Sequence, residues 1–317
     1  HGYAKQGAGF GYSSVRGLNA LLATVTTAGT APVVVAQRLR KGSCGSPRGA
    51  KRLVADALKT VNKLHPGPGK PLLRADSAFY GAPTIGAAVR GGAQVSVTVR
   101  LDPKVKAAIA AIAHDAWTSI EYTDAIFDEV SGTWVSGAEV AEVPFTAFSS
   151  KQATEQVSGR LVVRRIPDLN PSKAPGQATL FDTWRFHAVF TTTDPADLDT
   201  VAADKIHRGH AIIEQVHADL KSSALAHLPS GKFTANAAWL VLAVIAFNLT
   251  RTAATIAGTD LARAITATIR RKLITVPARV ASSARRVTLH LPPAWPWETA
   301  WTQLFSHGCG PPIPART

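Results

Sequence analysis

The chain has 317 residues, 46% of them hydrophobic, which is enough apolar material for one large domain or for a core domain with an insertion. Lys and Arg total 35 against 21 Asp and Glu, so the formal net charge is +14. This composition excludes a disordered chain, and its basic balance favours polyanionic partners such as nucleic acid. The two cysteines, Cys44 and Cys309, match no metal-ligand spacing and favour a reducing, cytoplasmic location.

The first predicted elements are two strands and a helix. Residues 18–27 and 31–39 are apolar and rich in β-branched residues, which predicts an antiparallel pair. A Gly- and Ser-rich loop leads to AKRLVADALKTVNKL, whose apolar spacing is helical. PLLRADSAFYG predicts a short buried strand ending at Asp76, and a helix at about 82–91 followed by the strand AQVSVTVRL completes a strand-helix-strand unit. This order predicts an α/β fold.

The middle and the end of the chain have different patterns. Residues 103–192 contain four segments of alternating polarity, which predicts a β-rich insertion. Helical patterns return at 193–257 and continue in a basic C-terminal extension at 258–317. The apolar run AAWLVLAVIAF has only eleven residues, so it predicts a buried core helix and no membrane segment. We therefore expect a core of residues 1–102, the insertion, the helices and the extension, in that order.

One predicted helix carries a row of ionisable side chains, in the stretch HRGHAIIEQVHADLK. His207, His210, Glu214, His217 and Lys221 follow one another at spacings of three, four, three and four, which places them on one stripe of an α-helix, about 80° wide. The adjacent stripe is apolar and should face a core; it consists of Ile206, Ile213, Val216 and Leu220. The ionisable row therefore lies at the edge of buried surface.

Two carboxylates are candidates for metal-dependent chemistry. Asp76 alone is most simply a turn residue at a strand end, and Glu214 alone a solvated helix residue. Together they place one acid at the end of a central strand, where open α/β sheets hold their sites, and another on a later helix. Oxygen ligands suit Mg²⁺, and metal pairs support phosphoryl transfer. The combination predicts a metal-dependent site that acts on phosphodiesters.

Two other interpretations stay open. Glu214 and His217 form the Glu-x-x-His pair of di-iron bundles, but the sequence shows no matching pair on another helix. Retained zinc or iron would support that histidine site, whereas weak Mg²⁺ or Mn²⁺ binding would support the carboxylates. The chain could also bind DNA without chemistry through phosphate contacts from its basic N-terminal third, which includes Arg38, Arg40, Lys41, Arg48, Lys51 and Arg52.

Several long stretches, in one order, resemble the DDE transposases of bacterial insertion sequences, most closely the actinobacterial branch. They include RLRKGS, LLRADSAFYG, AEVPFTAF, RFHAVFT and LAHLPSGKFTANAAWLVLAVIAFNLTR, so the resemblance covers nearly the whole chain. It implies an RNase H-like fold with a β-rich insertion before the last catalytic helix and a helical C-terminal part. It also implies cut-and-paste transposition: cleavage of double-stranded DNA at the element's ends with Mg²⁺, or Mn²⁺ in its place, and joining to target DNA. A homodimer on DNA is a further expectation.

The resemblance assigns roles to single residues. Asp76 matches the family's second carboxylate and Glu214 its third, so both are expected to be catalytic and to bind metal. Lys221 stands at the offset of a lysine expected to contact a DNA phosphate. His207 and His210 stand at the offsets of a tyrosine and an arginine, and we expect them to contact DNA in their place.

Further expectations concern DNA contacts and the start of the chain. Arg208 is a substitute for the missing guanidinium, although it points about 100° away from His207 on a regular helix. Arg40 and Lys41, in RLRKGS, are expected to contact DNA. The family's first carboxylate lies on a strand upstream of HGYAKQGAG, and the chain contains no Met. We therefore expect an incomplete, inactive fragment of a longer protein, or a DNA-binding remnant of a decayed transposase.

Overall fold

A computed structural model describes residues 5–11, 14–27, 29–64, 69–128, 132–167, 184–258 and 260–309. The chain divides into two compact units. We call Gly45–Ala211 the sheet unit, and His1–Cys44 together with Ile212–Thr317 the terminal unit.

The strands of the described residues are β1 Gly9–Phe10, β2 Arg16–Gly17, β3 Asn19–Val25, β4 Val33–Arg40, β5 Leu72–Ala75, β6 Gln94–Val99, β7 Thr118–Asp128, β8 Thr133–Ala147, β9 Val157–Pro167, β10 Trp184–Thr191, β11 Arg279–Ser283 and β12 Arg286–His290. The helices are α1 Ala50–Leu64, α2 Ala82–Arg90, α3 Pro103–Ala110, α4 Thr200–Arg208, α5 Ile212–Lys221, α6 Phe233–Ile256, α7 Thr266–Ile269 and α8 Glu298–Cys309. A π-helical turn, Arg270–Ile274, follows α7.

The sheet unit is built on a six-stranded mixed sheet with the order β5-β6-β10-β9-β8-β7. β5 and β6 are parallel and are connected through α2, whereas the other neighbours are antiparallel. The α/β class, the strand-helix-strand unit and the antiparallel β-rich stretch are thereby confirmed. Because β10 pairs with β6, the β-rich stretch and the strand-helix-strand unit share one sheet. The RNase H-like topology and the four predicted segment boundaries stay predictions.

The two faces of this sheet have different chemistry, as the alternation of side chains along its strands requires. One face is apolar and packs against α1, α2 and α3, the three helices that precede the β-rich strands. The buried residues of this core include, from the sheet, Val97, Leu161, Val163 and Phe190, and, from the helices, Val54, Leu58, Ile85, Ala88 and Val105. The opposite face carries Ser96, Arg160 and Arg164, all buried. These side chains meet α4, because Asp204 pairs with Arg164 and His207 bonds to Ser96. We call this side of the sheet the α4 face.

The terminal unit contains the predicted N-terminal strand pair. β3 and β4 are antiparallel as predicted, with a register shift after Ala23. Leu22 and Val34 of this hairpin belong to a core with α5 and α6, to which α6 contributes Leu240, Val244 and Phe247. Asn248 of α6 also bonds to both backbone groups of Val34, at 2.9 Å from its Oδ1 and 2.7 Å from its Nδ2. Burial and paired hydrogen bonds together fix the hairpin on α6.

The helix α6 is longer and more apolar than the sequence pattern indicated. With 24 residues and a mean hydropathy of 1.6, it could cross a membrane by length and composition, so the prediction that no segment reaches that length was wrong. Core helices of soluble proteins can have the same length and hydropathy, so one such helix does not by itself indicate a membrane span. One side of α6 packs on the β3–β4 hairpin, whereas Leu242 and Leu249 on another side are exposed, so the predicted buried core helix is buried only in part.

The helix predicted to carry the ionisable row is interrupted. α4 ends at Arg208, a 3₁₀ turn spans Gly209–Ala211, and α5 begins at Ile212. A 3₁₀ turn advances about 120° per residue instead of 100°, so three residues shift the phase by roughly 60°. The prediction of one regular stripe was therefore wrong. Ile206, expected in the apolar stripe, is 39% exposed, whereas Val216 and Leu220 are buried as predicted.

Candidate active site

Asp76 lies directly after the last residue of β5, as predicted, but β5 is an edge strand of the described sheet and is only partly buried, so the prediction of a central, buried strand was wrong. It caps a 3₁₀ turn, Ser77–Phe79, and its Oδ1 accepts a hydrogen bond from the Ala78 amide at 2.9 Å. The Asp76 backbone is extended, with φ −78° and ψ 176°, so strand alternation continues and Asp76 lies on the same face as Arg74. Its carboxylate is exposed at the carboxyl edge of the parallel strand pair.

The C-terminal end of α4 is fixed to these two strands. The Arg74 Nη1 donates to the Ile206 carbonyl at 2.7 Å. The ring of His207 lies 2.9 Å from Ser96 Oγ through Nδ1 and 2.9 Å from Thr98 Oγ1 through Nε2. We call Arg74, Ser96, Thr98 and His207 the helix-end cluster. The β5–β6 register brings Arg74 opposite Ser96, so the cluster lies on the α4 face next to Asp76.

His207 is neutral at physiological pH. Burial, and then the nearby His210, lower the pKa of His207 to about 3, against a smaller opposing effect of the bond with Ser96. A neutral imidazole has one donor and one acceptor nitrogen, so one hydroxyl receives a hydrogen bond from the ring and the other donates one. With only 4% of the residue exposed and both nitrogens bonded, His207 has the surroundings of a structural residue. The DNA contact predicted for His207 stays a prediction, and the burial of the ring argues against it.

At the helix break, side chains donate hydrogen bonds to the last carbonyls of α4. His210 donates from Nδ1 to the His207 carbonyl at 2.7 Å, and its ring centroid lies 4.6 Å from that of His207. The Ile206 and His207 carbonyls, which also accept from the Gly209 amide, thus receive side-chain donors from Arg74 and His210. Gly209 leaves room for this arrangement, because an added Cβ would lie 2.6 Å from Arg74 Nη1. The sequence pattern gave no signal of these tertiary bonds.

Arg208 is held by an internal ion pair. Its Nε lies 3.0 Å from Asp204 Oδ2, and the other oxygen of the same carboxylate accepts from Arg164. Asp204 is 1% exposed, so the pair with Arg164 is shielded from water. The predicted use of Arg208 as a substitute guanidinium for DNA stays a prediction, and it requires Arg208 to exchange a partly buried partner for a phosphate.

Glu214 and Lys221 stand at the two ends of α5, in the terminal unit. Glu214 is exposed in the first turn and Lys221 is exposed in the last, the order that the helix dipole favours. His217 lies between them, and burial, followed by the charge of Lys221, lowers the pKa of His217. His217 is therefore largely uncharged at neutral pH, which leaves Lys221 as the cation of this helix face.

The two basic residues after the N-terminal hairpin differ in exposure. Arg40, the last residue of β4, donates from Nη2 to Asn19 Oδ1 at 2.6 Å, and burial lowers the pKa of Arg40. Lys41, the next residue, is exposed. Of these two predicted DNA contacts, Lys41 therefore has the more accessible charge.

The comparisons with known proteins bear on this arrangement. The family described as transposase DDE domain, group 1, matches residues 27–307, most of the chain. The chain belongs to this family. No curated protein matches the chain. The predicted resemblance to DDE transposases is thereby confirmed at family level, while an origin in a bacterial insertion sequence and a missing N-terminal part stay predictions.

In this transposase DDE domain, Asp76 and Glu214 differ in their surroundings from the buried acids Asp204 and Asp219. Asp204 and Asp219 are buried in ion pairs with Arg164 and Arg251. Asp76 and Glu214 are exposed and form no salt bridge with a described residue, so their oxygens are available to a cation. Their predicted proximity stays a prediction, since each is described within its own unit.

The donor chemistry of the transposase domain fits Mg²⁺ only in part. Among the described residues there is no group of three or more His, Cys, Asp and Glu that could hold a metal ion. Mg²⁺ is commonly held by one or two carboxylates together with substrate phosphates and water, and exposed carboxylates such as Asp76 and Glu214 suit that mode. The same absence offers no support, within the described ranges, for the di-iron interpretation of Glu214 and His217.

Proposed function

We propose that this transposase DDE domain catalyses cut-and-paste DNA transposition, by metal-dependent cleavage at the ends of an insertion sequence and strand transfer to target DNA. The observation that carries the proposal is Asp76, an exposed carboxylate without a salt-bridge partner among the described residues, at the carboxyl edge of β5 in a chain that the family matches over residues 27–307. Cytoplasmic location and a homodimer on DNA are parts of the same proposal.

Asp76 and Glu214 are the proposed metal-binding and catalytic carboxylates, with Mg²⁺ as the ion and Mn²⁺ as a substitute. When bound, the ion would polarise the reacting phosphate and favour ionisation of the attacking water. The exposed ammonium groups of Lys221 and Lys41 would contact DNA phosphates and set the register of the duplex. The helix-end cluster would hold the end of α4 on the sheet that carries Asp76.

The test measures cleavage and metal binding in the same variants. We expect Asp76→Ala and Glu214→Ala each to abolish Mn²⁺-dependent nicking of DNA that carries the element's ends, while DNA affinity stays within a few fold. Glu155→Ala, which removes another exposed acid, is the matched control. The resemblance places the first carboxylate upstream, so the assay also includes the chain extended by its preceding in-frame codons. Cleavage that survives Asp76→Ala or Glu214→Ala contradicts the assignment.

Calorimetry with Mn²⁺ sharpens the test. If the two carboxylates share one ion, either single variant should weaken binding as much as the double variant does. Independent, additive losses would mean that they hold separate ions.

A second candidate function is DNA binding without cleavage. The net charge of +14 favours it, because binding to DNA phosphates requires no metal site. Salt-dependent binding of duplex DNA by the wild-type and extended chains, with no nicking in Mg²⁺ or Mn²⁺, would establish this function instead.

A further inference from the structure

The positive charge of the chain is concentrated in two stretches without Asp or Glu, residues 1–55 and residues 261–297. Residues 261–297 contain no Asp or Glu and contribute half of the formal net charge of +14. The cations of this segment are Arg263, Arg270, Arg271, Lys272, Arg279, Arg285 and Arg286. Such a concentration without compensating acids favours a polyanionic partner at this place.

A two-stranded hairpin forms the second half of this segment. β11 and β12 are antiparallel, and all ten of their residues are exposed. Arg279 is opposite His290 and Ser283 is opposite Arg286. The pair of Ala281 and Thr288 lies between them. These positions share one face, because directly paired residues point to the same side. That face therefore carries a cationic or titratable side chain at each end, and Arg285 adds another cation in the turn.

The dimensions of the hairpin suit a DNA groove. Four residue steps separate Arg279 from Ser283, which corresponds to about 13 Å along a strand. The major groove of B-DNA is about 12 Å wide and admits a two-stranded β-ribbon. Cations at the two ends of the hairpin are thus spaced to reach the phosphates on both sides of the groove, while the residues between them face the bases.

The hairpin lacks what normally stabilises such an element. An isolated two-stranded hairpin is marginal in water, and the apolar face of this one is open, with Val280 63%, Val287 68% and Leu289 48% exposed. Ala284 adopts a positive φ of 52°, which is unfavourable for a residue with a Cβ. The neighbouring Arg285 and Arg286 also repel each other. A polyanion that screens these charges and orders the ribbon relieves part of this cost.

We propose that the β11–β12 hairpin is a DNA-binding ribbon that enters the major groove of duplex DNA, with Arg279, Arg285 and Arg286 on phosphates. The proposal rests on the proposed function only in that both take DNA as the partner. Duplex RNA fits less well, because its major groove is deep and narrow. The hairpin lies outside every DNA contact that the sequence predicted.

The test compares two triple variants of the full chain. Arg279→Gln/Arg285→Gln/Arg286→Gln removes three charges from the hairpin, and Lys59→Gln/Lys63→Gln/Lys106→Gln removes three exposed charges elsewhere. By fluorescence anisotropy on a short DNA duplex, we expect the hairpin variant to bind at least about 10-fold more weakly than the control. The slope of log affinity against log salt should fall by about 3 in the hairpin variant only. Circular dichroism should show both variants folded, because every changed residue is exposed.

Several results would overturn the proposal. Equal losses in the two triple variants would mean that total charge, and not the hairpin, sets affinity. An equal loss on duplex RNA of the same sequence would exclude groove entry, and a changed sedimentation mass would make the hairpin a self-association surface. If the hairpin variant binds like wild type while cleavage still needs Asp76, the hairpin proposal alone fails. If wild type binds DNA through the hairpin but does not cleave, the catalytic proposal alone fails.

Discussion

The α4 face of the sheet and the C-terminal segment 261–297 both contain many cations, in opposite surroundings. On the α4 face, Arg160 is buried with bonds to Glu142 and to the Thr193 backbone, and Arg164 is buried with Asp204. In the C-terminal segment, Arg279 and Arg286 are exposed and form no salt bridge with a described residue. A buried guanidinium paired with a carboxylate is part of its own fold, whereas an exposed one without an acid among the described residues remains available to a partner.

This difference shows that exposure, and not residue type, separates the cations that are paired inside the fold from those that are accessible to a partner. A net charge of +14 indicates a polyanionic partner, but it does not identify which cations contact it. Arg208 illustrates the problem: the sequence suggested a DNA contact, and the structure pairs it with Asp204. Changes on the α4 face should therefore act on stability, and changes in the C-terminal hairpin on DNA affinity.

The largest effect is expected at Asp204. Asp204→Ala removes the shared partner of Arg164 and Arg208 and leaves the buried Arg164 guanidinium without its carboxylate. Breaking one side of a buried ion pair costs about 3–5 kcal/mol, so the free energy of unfolding in urea should fall by that amount. Asp56→Ala breaks an exposed pair with Arg52, at 3.7 Å, and should cost less than about 1 kcal/mol. Equal costs for the two variants would contradict the structural assignment of the α4 face.

A smaller, pH-dependent effect is expected at His207. Its folded-state pKa, about 3, lies below the ordinary value of 6.5, so the unfolded chain takes up a proton that the folded chain does not. The contribution to stability is complete above pH 6.5 and is lost as the pH falls from 6.5 toward 3. Between pH 7 and pH 5 this amounts to roughly 2 kcal/mol.

The measurement compares wild type with His207→Gln in urea at several pH values. His187 and His217 also have lowered pKa values, and they remain in both proteins, so the difference between the curves isolates His207. The wild-type free energy of unfolding should fall more steeply below pH 6.5 than that of the variant. Parallel curves would mean that His207 is protonated in the folded protein.

The sequence could predict those features that depend on local periodicity and turn chemistry. The strand pair β3–β4, the helix α1, the strand-helix-strand unit and the strand-end position of Asp76 follow from such patterns, and they are confirmed. The break at Gly209 could not be predicted, because it depends on Arg74 and Ser96, which are more than one hundred residues distant in sequence. The hairpin β11–β12 was missed because its strands are short, and all ten of their residues are exposed, so they show no core-facing pattern.

The smallest effect on the free energy of unfolding is expected for a substitution of Gly209 at the helix break. Whether that substitution stabilises or destabilises depends on the neighbouring Arg74. The backbone of Gly209, with φ −64° and ψ −3°, suits any residue, so Gly209→Ala alone should gain about 0.5–1 kcal/mol from reduced unfolded-state entropy. In wild type the new Cβ would lie 2.6 Å from Arg74 Nη1 and displace the bond to the Ile206 carbonyl, which costs about 1 kcal/mol.

Gly209→Ala should therefore be neutral or slightly destabilising in wild type but stabilising in an Arg74→Met background, as measured by urea unfolding of all four proteins. Gly45→Ala, where an added Cβ has no neighbour within 4 Å, should give the same change in both backgrounds. A double-mutant coupling near zero between Gly209 and Arg74 would show that the Arg74 guanidinium does not hold the end of α4. In that case the bonds between His207 and the hydroxyls of Ser96 and Thr98 would hold the end of α4 alone.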